Sequence, residues 1–272
     1  MENIKNMTKE EEAFFENIRQ QIADAPEGVD VAVLEKALET IRKPDAALTK
    51  IWFLLDRSGS MQWLRDDVIG GFNGFIADRM ADLSDTVTMT TVQFDGQDPF
   101  EVIDDGRDIK EVSKLTRLTY QPRGATPLYD AVGKLIRRAD DRIDNRAEAG
   151  LPAEDQLVFI FTDGLENDSR NFTRTEIFDL IKDRTDQDWT FVFMGANQDS
   201  YIEGQKVGLV DGNVQNYDAT PQSVNMAFSS MSRATADYVG KSRPQRVSDK
   251  ERFFGDLKEA EEALRRERRR GR

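Results

Sequence analysis

Five short oxygen-bearing side chains stand out for their type and placement. Asp56, Ser58 and Ser60 end an apolar run in "FLLDRSGSMQ", Thr126 lies in "RGATPLYDAV", and Asp163 lies in "FTDGLEND". Short polar residues packed this closely neither build a core nor suit a helix interior. Two carboxylates and three hydroxyls are ligands for a hard cation such as magnesium, manganese or calcium. Ser58 and Ser60 are two apart, so in an extended turn their side chains point the same way, and Gly59 between them lets the backbone bend tightly. Neutral hydroxyls leave a bound ion electrophilic, whereas four or five carboxylates would neutralise it. The set therefore favours capture of one further anionic ligand over ion storage. The competing reading is a loop and helix cap, a role open to Ser60, but capping leaves the "GATP" and "TDG" loops unexplained.

Composition removes most other chemistry. The chain has 272 residues, no cysteine and no histidine. That excludes disulfides, thiolate zinc sites, cysteine nucleophiles, Ser-His-Asp triads and histidine proton shuttles for this chain acting alone. The net charge of -13 argues against nucleic-acid binding over the whole surface. No apolar stretch approaches the roughly 18 residues of a membrane span, and "MENIKNMTKEEEAFFENIRQ" lacks the order of a signal peptide. The expected location is the cytoplasm.

The five residues need elements to hold them. "IWFLL" (51–55) reads as a strand, followed by a helix with Leu64, Val68, Phe72, Phe75, Ile76, Met80 and Leu83 on one face. "TVTMTTVQF" (86–94) and "FEVIDD" (100–105) read as a hairpin around "DGQDP". The Pro and Gly loop holding Thr126 leads into a helix with Leu128, Ala131, Val132, Leu135, Ile136, Ala139 and Ile143 on one side. "QLVFIFTDG" (156–164) has the continuous apolar character of a central strand covered on both faces. A helix near 177–182, a strand "WTFVFMG" (189–195), a short helix near 200–207, an edge strand "NVQNYD" and a helix over about 221–238 complete the alternation. This is the pattern of an open, mostly parallel, doubly wound α/β sheet, a three-layer sandwich whose ligands bind beyond the carboxyl ends of the strands. The "DRSGS" and "TDG" segments fall at those ends.

The expected organisation is a helical amino-terminal extension over 1–47, an α/β domain over 48–240 and a charged carboxyl-terminal helix or tail over 241–272. In the extension, Val33, Leu34, Ala37, Leu38 and Ile41 form a packing stripe. The last ten residues hold six arginines, read either as a solvated helix end or as a contact for acidic protein or nucleic acid.

The five oxygen donors, in order and in context, resemble the metal-ion-dependent adhesion site of the von Willebrand factor A domain, whose pattern is DxSxS, then a distant threonine, then a distant aspartate. The resemblance covers about 48–240. It implies a VWA/Rossmann-like fold and a magnesium or manganese ion, touched directly by Ser58, Ser60 and Thr126. Asp56 and Asp163 would act largely through bound waters, and the open position would take an Asp or Glu of a protein partner. It also implies a non-enzymatic binding module, of a type found beside AAA+ ATPases of the MoxR kind or in stress and phage-defence systems. Two alternatives stand against it. One is a magnesium-dependent phosphatase-like enzyme with Asp56 as nucleophile, for which the usual second aspartate is replaced by Ser58. The other is a structural subunit of a larger assembly.

Neighbouring residues receive plainer expectations. Arg57 reads as a surface position, with a bias toward acidic partners as the alternative. Trp63 reads as packing under the site, and "ENDSRN" (166–171) as a solvated loop and helix cap rather than a second metal site. Asn197, Gln198 and Asp199 read as rim candidates, with Asp199 capping a helix.

Overall fold

The computed structural model describes residues 48–82, 87–196 and 200–255, together with 17, 19–20 and 23–24. Most of the 1–47 extension, the arginine-rich end and Asn197, Gln198 and Asp199 lie outside the described residues, as does Leu83.

Among the described residues six strands form one sheet: β1 (Leu48–Asp56), β2 (Val87–Phe94), β3 (Glu101–Asp108), β4 (Glu154–Thr162), β5 (Thr190–Ala196) and β6 (Val214–Tyr217). Their order is β3-β2-β1-β4-β5-β6, with only the β2–β3 hairpin antiparallel. The helices are α1 (Arg65–Asp82), α2 (Leu128–Glu148), α3 (Arg174–Asp186), α4 (Ser200–Lys206), α5 (Pro221–Gly240) and α6 (Arg243–Asp249), with a 3-10 turn over Gly59–Leu64. The architecture is the expected mostly parallel α/β sandwich.

Alternation along the strands builds two cores. Ile51, Phe53 and Leu55 of β1 join Phe72, Phe75 and Phe228 on the α1 and α5 face. Trp52 and Leu54 join Leu135, Ile136 and Ile177 on the α2 and α3 face. Residues of both faces are buried, which explains the uninterrupted apolar runs in β1 and β4. Helices α1 and α5 approach closely at Gly71, where a β-carbon would stand 2.2 Å from the Phe228 ring. Met80, expected on the packed face of α1, is instead 42% exposed.

The packed unit continues past residue 240. Arg246 is buried and donates to Thr49 Oγ1 and Asp155 Oδ2, each at 2.9 Å, and to the carbonyls of Tyr238 and Val239. Phe253 and Phe254 enter the α1-side core, with Phe253 5.6 Å from the Phe159 ring. Two phenylalanines set among charges give no helical period, so their burial is not visible in the sequence.

Parallel register fixes the site's location. Leu55 pairs with Phe161, so the next residues, Asp56 on β1 and Thr162 on β4, reach the same carboxyl edge side by side. Among the described residues, no helix is long and apolar enough to cross a membrane.

Candidate metal centre

Asp56 ends β1 fully buried, and both its carboxylate oxygens are engaged. Oδ1 accepts from the Ser58 backbone N–H at 2.6 Å, and Oδ2 accepts from Thr162 Oγ1 at 2.5 Å. Its carbonyl accepts from the buried Tyr120 hydroxyl at 2.7 Å. Burial pushes the Asp56 carboxyl up to about 7, against the opposing hydrogen bonds from Thr162 and Ser58. Burial also raises Asp163, although the Ser60 hydroxyl favours its charged form. Two carboxyls so placed resist ionising without a nearby cation.

The hydroxyls complete the cluster. Ser58 Oγ and Ser60 Oγ are 3.0 Å apart, and Ser60 Oγ donates to Asp163 Oδ1 at 2.6 Å. A β-carbon placed on Gly164 would lie 3.1 Å from Thr126 Oγ1, 3.4 Å from Ser60 Oγ and 3.7 Å from Asp56 Oδ2. Oxygens of the serine and threonine loops thus border one small space beside Gly164, where a β-carbon would crowd the Thr126 hydroxyl. Octahedral magnesium, with metal–oxygen distances of about 2.1 Å, sets adjacent ligands about 3.0 Å apart. The Ser58–Ser60 spacing of 3.0 Å, set here by the hydrogen bond between the two hydroxyls, is compatible with such an edge. Among the described residues, no three carboxylates gather to hold a metal. Any ion bound at this edge would therefore use the hydroxyls as well as Asp56 and Asp163, and such an oxygen set fits a hard divalent cation.

Backbone contacts hold the loops in place. Gly59 N donates to Gly124 O at 3.0 Å, and Arg123 N donates to Arg57 O at 2.8 Å, lacing the serine loop to the threonine loop. Gly124 adopts a φ of 69°, a left-handed conformation that favours glycine. Asn167 clamps Thr126 from both sides, accepting its N–H at 2.8 Å and donating its own N–H to the Thr126 carbonyl at 3.1 Å. The structure therefore brings all five sequence-predicted donors together. Sequence reasoning missed their supports, Thr162, Tyr120, Asn167 and Tyr217, whose hydroxyl donates to the Thr162 carbonyl at 3.0 Å. Thr162 gave a signal, as the one polar residue closing the apolar part of "QLVFIFTDG".

Two neighbouring expectations are corrected. Arg57 is a buried residue rather than a surface one. Its Nε donates to the fully buried Asp95 at 2.7 Å, and Nη1 reaches Gln93 at 3.0 Å and also Glu101. Asp95 also accepts from Arg123 Nε and from the N–H groups of Gln97 and Asp98. Burial opposes its charge, but the Asp98 and Gln97 amides and the two guanidiniums hold it below the usual carboxylate range. Trp63 does not pack under the site, since it is 91% exposed. In a 3-10 turn residues three apart eclipse, so Met61 and Leu64 point into the core and Trp63 points out.

The "ENDSRN" segment is a clasp for the start of α2. Glu166 accepts from Tyr129 N at 2.9 Å and Ser169 Oγ accepts from Asp130 N at 3.0 Å, while Asp130 in turn accepts from the Arg170, Asn171 and Phe172 amides.

No protein-family model matches the sequence, and comparison with curated proteins returns no match. Solved structures do resemble the fold. The von Willebrand factor domain of a type V pilus tip protein from Porphyromonas gingivalis is 10% identical, with a TM-score of 0.53 over 72% of this chain and 98% of that one. The manganese-loaded TRAP protein of Plasmodium vivax is 20% identical, with a TM-score of 0.50 over 67% of this chain and 72% of that one. Proximal thread matrix protein 1 of the mussel byssus, with zinc in its adhesion-site motif, is 13% identical, with a TM-score of 0.50 over 67% of this chain and 46% of that one. By sheet order, helix layers and these likenesses, the chain has the von Willebrand factor type A fold.

Proposed function

We propose that this chain is a divalent-cation-dependent protein-binding module that captures an Asp or Glu of a partner at the edge formed by Asp56, Ser58, Ser60, Thr126 and Asp163. The observation that carries the reading is the donor set. Three hydroxyls and two carboxylates converge on one space at the sheet edge, with Ser60 exposed and Asp163 half-buried. A magnesium or manganese ion there would supply a Lewis-acidic position for an incoming carboxylate oxygen. The manganese and zinc held by two structurally similar proteins support an ion of this kind. Ser58, Ser60 and Thr126 would hold it without neutralising it, while Asp56 and Asp163 balance its charge. An AAA+ ATPase or a stress or defence component is the partner class that the adhesion-site resemblance implies.

Hydrolysis through Asp56 is the weaker reading. Its carboxylate is fully buried, with one oxygen on Ser58 N and the other on the Thr162 hydroxyl, so neither is presented for attack on a substrate.

Thr126→Ala tests the proposal, because it deletes one hydroxyl while the Asn167 clamp holds the backbone. Calorimetric titration of manganese should show affinity at least about tenfold weaker than wild type, since losing even an outer-shell partner of a ligand costs about 10–100-fold. In a pull-down, proteins retained by wild type in magnesium should be lost with chelator and with Thr126→Ala. Equal retention in all conditions would sink the metal-bridge reading.

A further inference from the structure

Seven large apolar side chains stand exposed among the described residues, and three of them, Trp63, Leu118 and Leu165, come from the loops around the five oxygen donors. They include the two most exposed, Trp63 at 91% and Leu118 at 84%. Single exposed apolar residues need no explanation, but a group bordering a binding site does. Trp63 follows Ser60 by three residues, and Leu165 follows Asp163 by two. Met61 and Leu64 root the Trp63 turn in the α1-side core, while Glu166 ties the Leu165 loop to the first turn of α2. The Trp63 turn is thus rooted on the α1 face of the sheet and the Leu165 loop is tied to the α2 face, each next to a donor in the chain. The loop carrying Leu118 lies over the start of α1, where Arg117 donates to Asp66 at 2.8 Å.

We propose that Trp63 and Leu165 are apolar subsites on either side of the metal edge, selecting an extended partner segment with a large apolar residue two positions before or after its Asp or Glu. The inference rests on the carboxylate-capture reading above and adds the partner's sequence pattern. The spacing supplies the pattern. A 3-10 turn rises about 2 Å per residue, setting Trp63 roughly 6 Å along the chain from Ser60. In an extended peptide, residues two apart face the same side and lie about 6.6 Å apart. Leu165 can stand no more than about 7.6 Å from Asp163, Cα to Cα. These reaches match the span between an extended segment's second neighbours, so a segment with its carboxylate at the ion could set them against Trp63 and Leu165. Trp63 supplies the larger anchor, since exposed tryptophans buried on binding dominate interface energetics.

The test uses the full chain in manganese with a fluorescent synthetic peptide, a central aspartate flanked by serines with phenylalanine at both second-neighbour positions. Fluorescence anisotropy should give about tenfold or greater weakening when the phenylalanines become serine, and similar weakening for Trp63→Ala against the phenylalanine peptide. Trp63→Ala should leave the serine peptide and the manganese titration unchanged. Wild-type tryptophan emission should shift blue on binding the phenylalanine peptide, because Trp52 and Trp189 are already buried. Equal affinity for the two peptides, or an equal effect of Trp63→Ala on both, overturns the subsites alone. Absence of manganese-dependent binding, or undiminished binding after aspartate becomes asparagine, overturns the carboxylate reading as well. A manganese-dependent dimer in sedimentation that Trp63→Ala dissolves would assign the surface to a second copy of this chain and overturn the partner segment.

Discussion

Replacing Arg57 with methionine separates a buried charge network from a surface position. The guanidinium meets the fully buried Asp95 and Gln93 and the partly exposed Glu101. Removing one partner of a buried ion pair costs about 3–5 kcal/mol, because the remaining charge is left uncompensated. Asp95 here retains Arg123 Nε at 3.0 Å and two backbone amides, which places the loss at the lower end, about 3 kcal/mol. The metal edge should be less affected, since the Arg57 backbone is pinned on its own account. Its N–H donates to Phe94 O at 2.9 Å and its carbonyl accepts from Arg123 N. Urea unfolding should show the full loss in the midpoint with an unchanged slope, while manganese affinity measured by calorimetry changes by less than about threefold, or roughly 0.65 kcal/mol. A stability change within about 0.5 kcal/mol, the usual range for surface substitutions, would refute the buried network. Stability preserved with manganese binding lost would refute the division between the network and the metal edge.

Two further outcomes follow from other parts of the molecule. Burial pulls the Lys50 ammonium down to about 7, aided by the Arg142 charge and opposed by Glu154 and Asp105. The unfolded chain then binds more protons between that value and 10.5, so Lys50 makes stability rise with pH across this window, by about 1.4 kcal/mol per unit well inside it. The wild-type minus Lys50→Met difference, from urea unfolding at pH 7 and pH 9, should grow by about 2 kcal/mol in favour of wild type; a flat difference would show that Lys50 keeps its ordinary proton affinity. A chain ending at residue 240 should fail to melt cooperatively by near-UV circular dichroism, and Phe253→Ala in the full chain should cost about 3–5 kcal/mol; normal melting of the shortened chain would place residues 243–254 outside the core.

What the sequence disclosed and what it hid divide along physical lines. The strand and helix alternation was legible because β1 and β4 are covered on both faces and α2 repeats its apolar residues at helical spacing. Asp56, Ser58, Ser60 and Asp163 stood out because polar residues that close apolar strands have few structural uses, whereas Thr126, in a Pro and Gly loop before α2, stood out by its place in the adhesion-site pattern. Arg57 was not, because its partners Asp95 and Glu101 lie 38 and 44 residues away and meet it only through the pairing of β1, β2 and β3. Trp63 was misplaced because an aromatic residue near helical spacing looks like core, and the substitution of a 3-10 turn for an α-helical one turns it outward. Those two errors have a common consequence for the site. Its fixed parts are the buried ones: Tyr217 holds the Thr162 backbone, Thr162 and Tyr120 hold Asp56, and Arg57 holds the loop behind it. Its outward parts, Ser60, Trp63 and Leu165, sit on loops anchored by that interior. Substituting Trp63 or Leu165 on the rim should therefore leave the five oxygen donors in place, whereas substituting Tyr120, Thr162 or Tyr217 should disturb the fold and the Asp56 end of the donor cluster together.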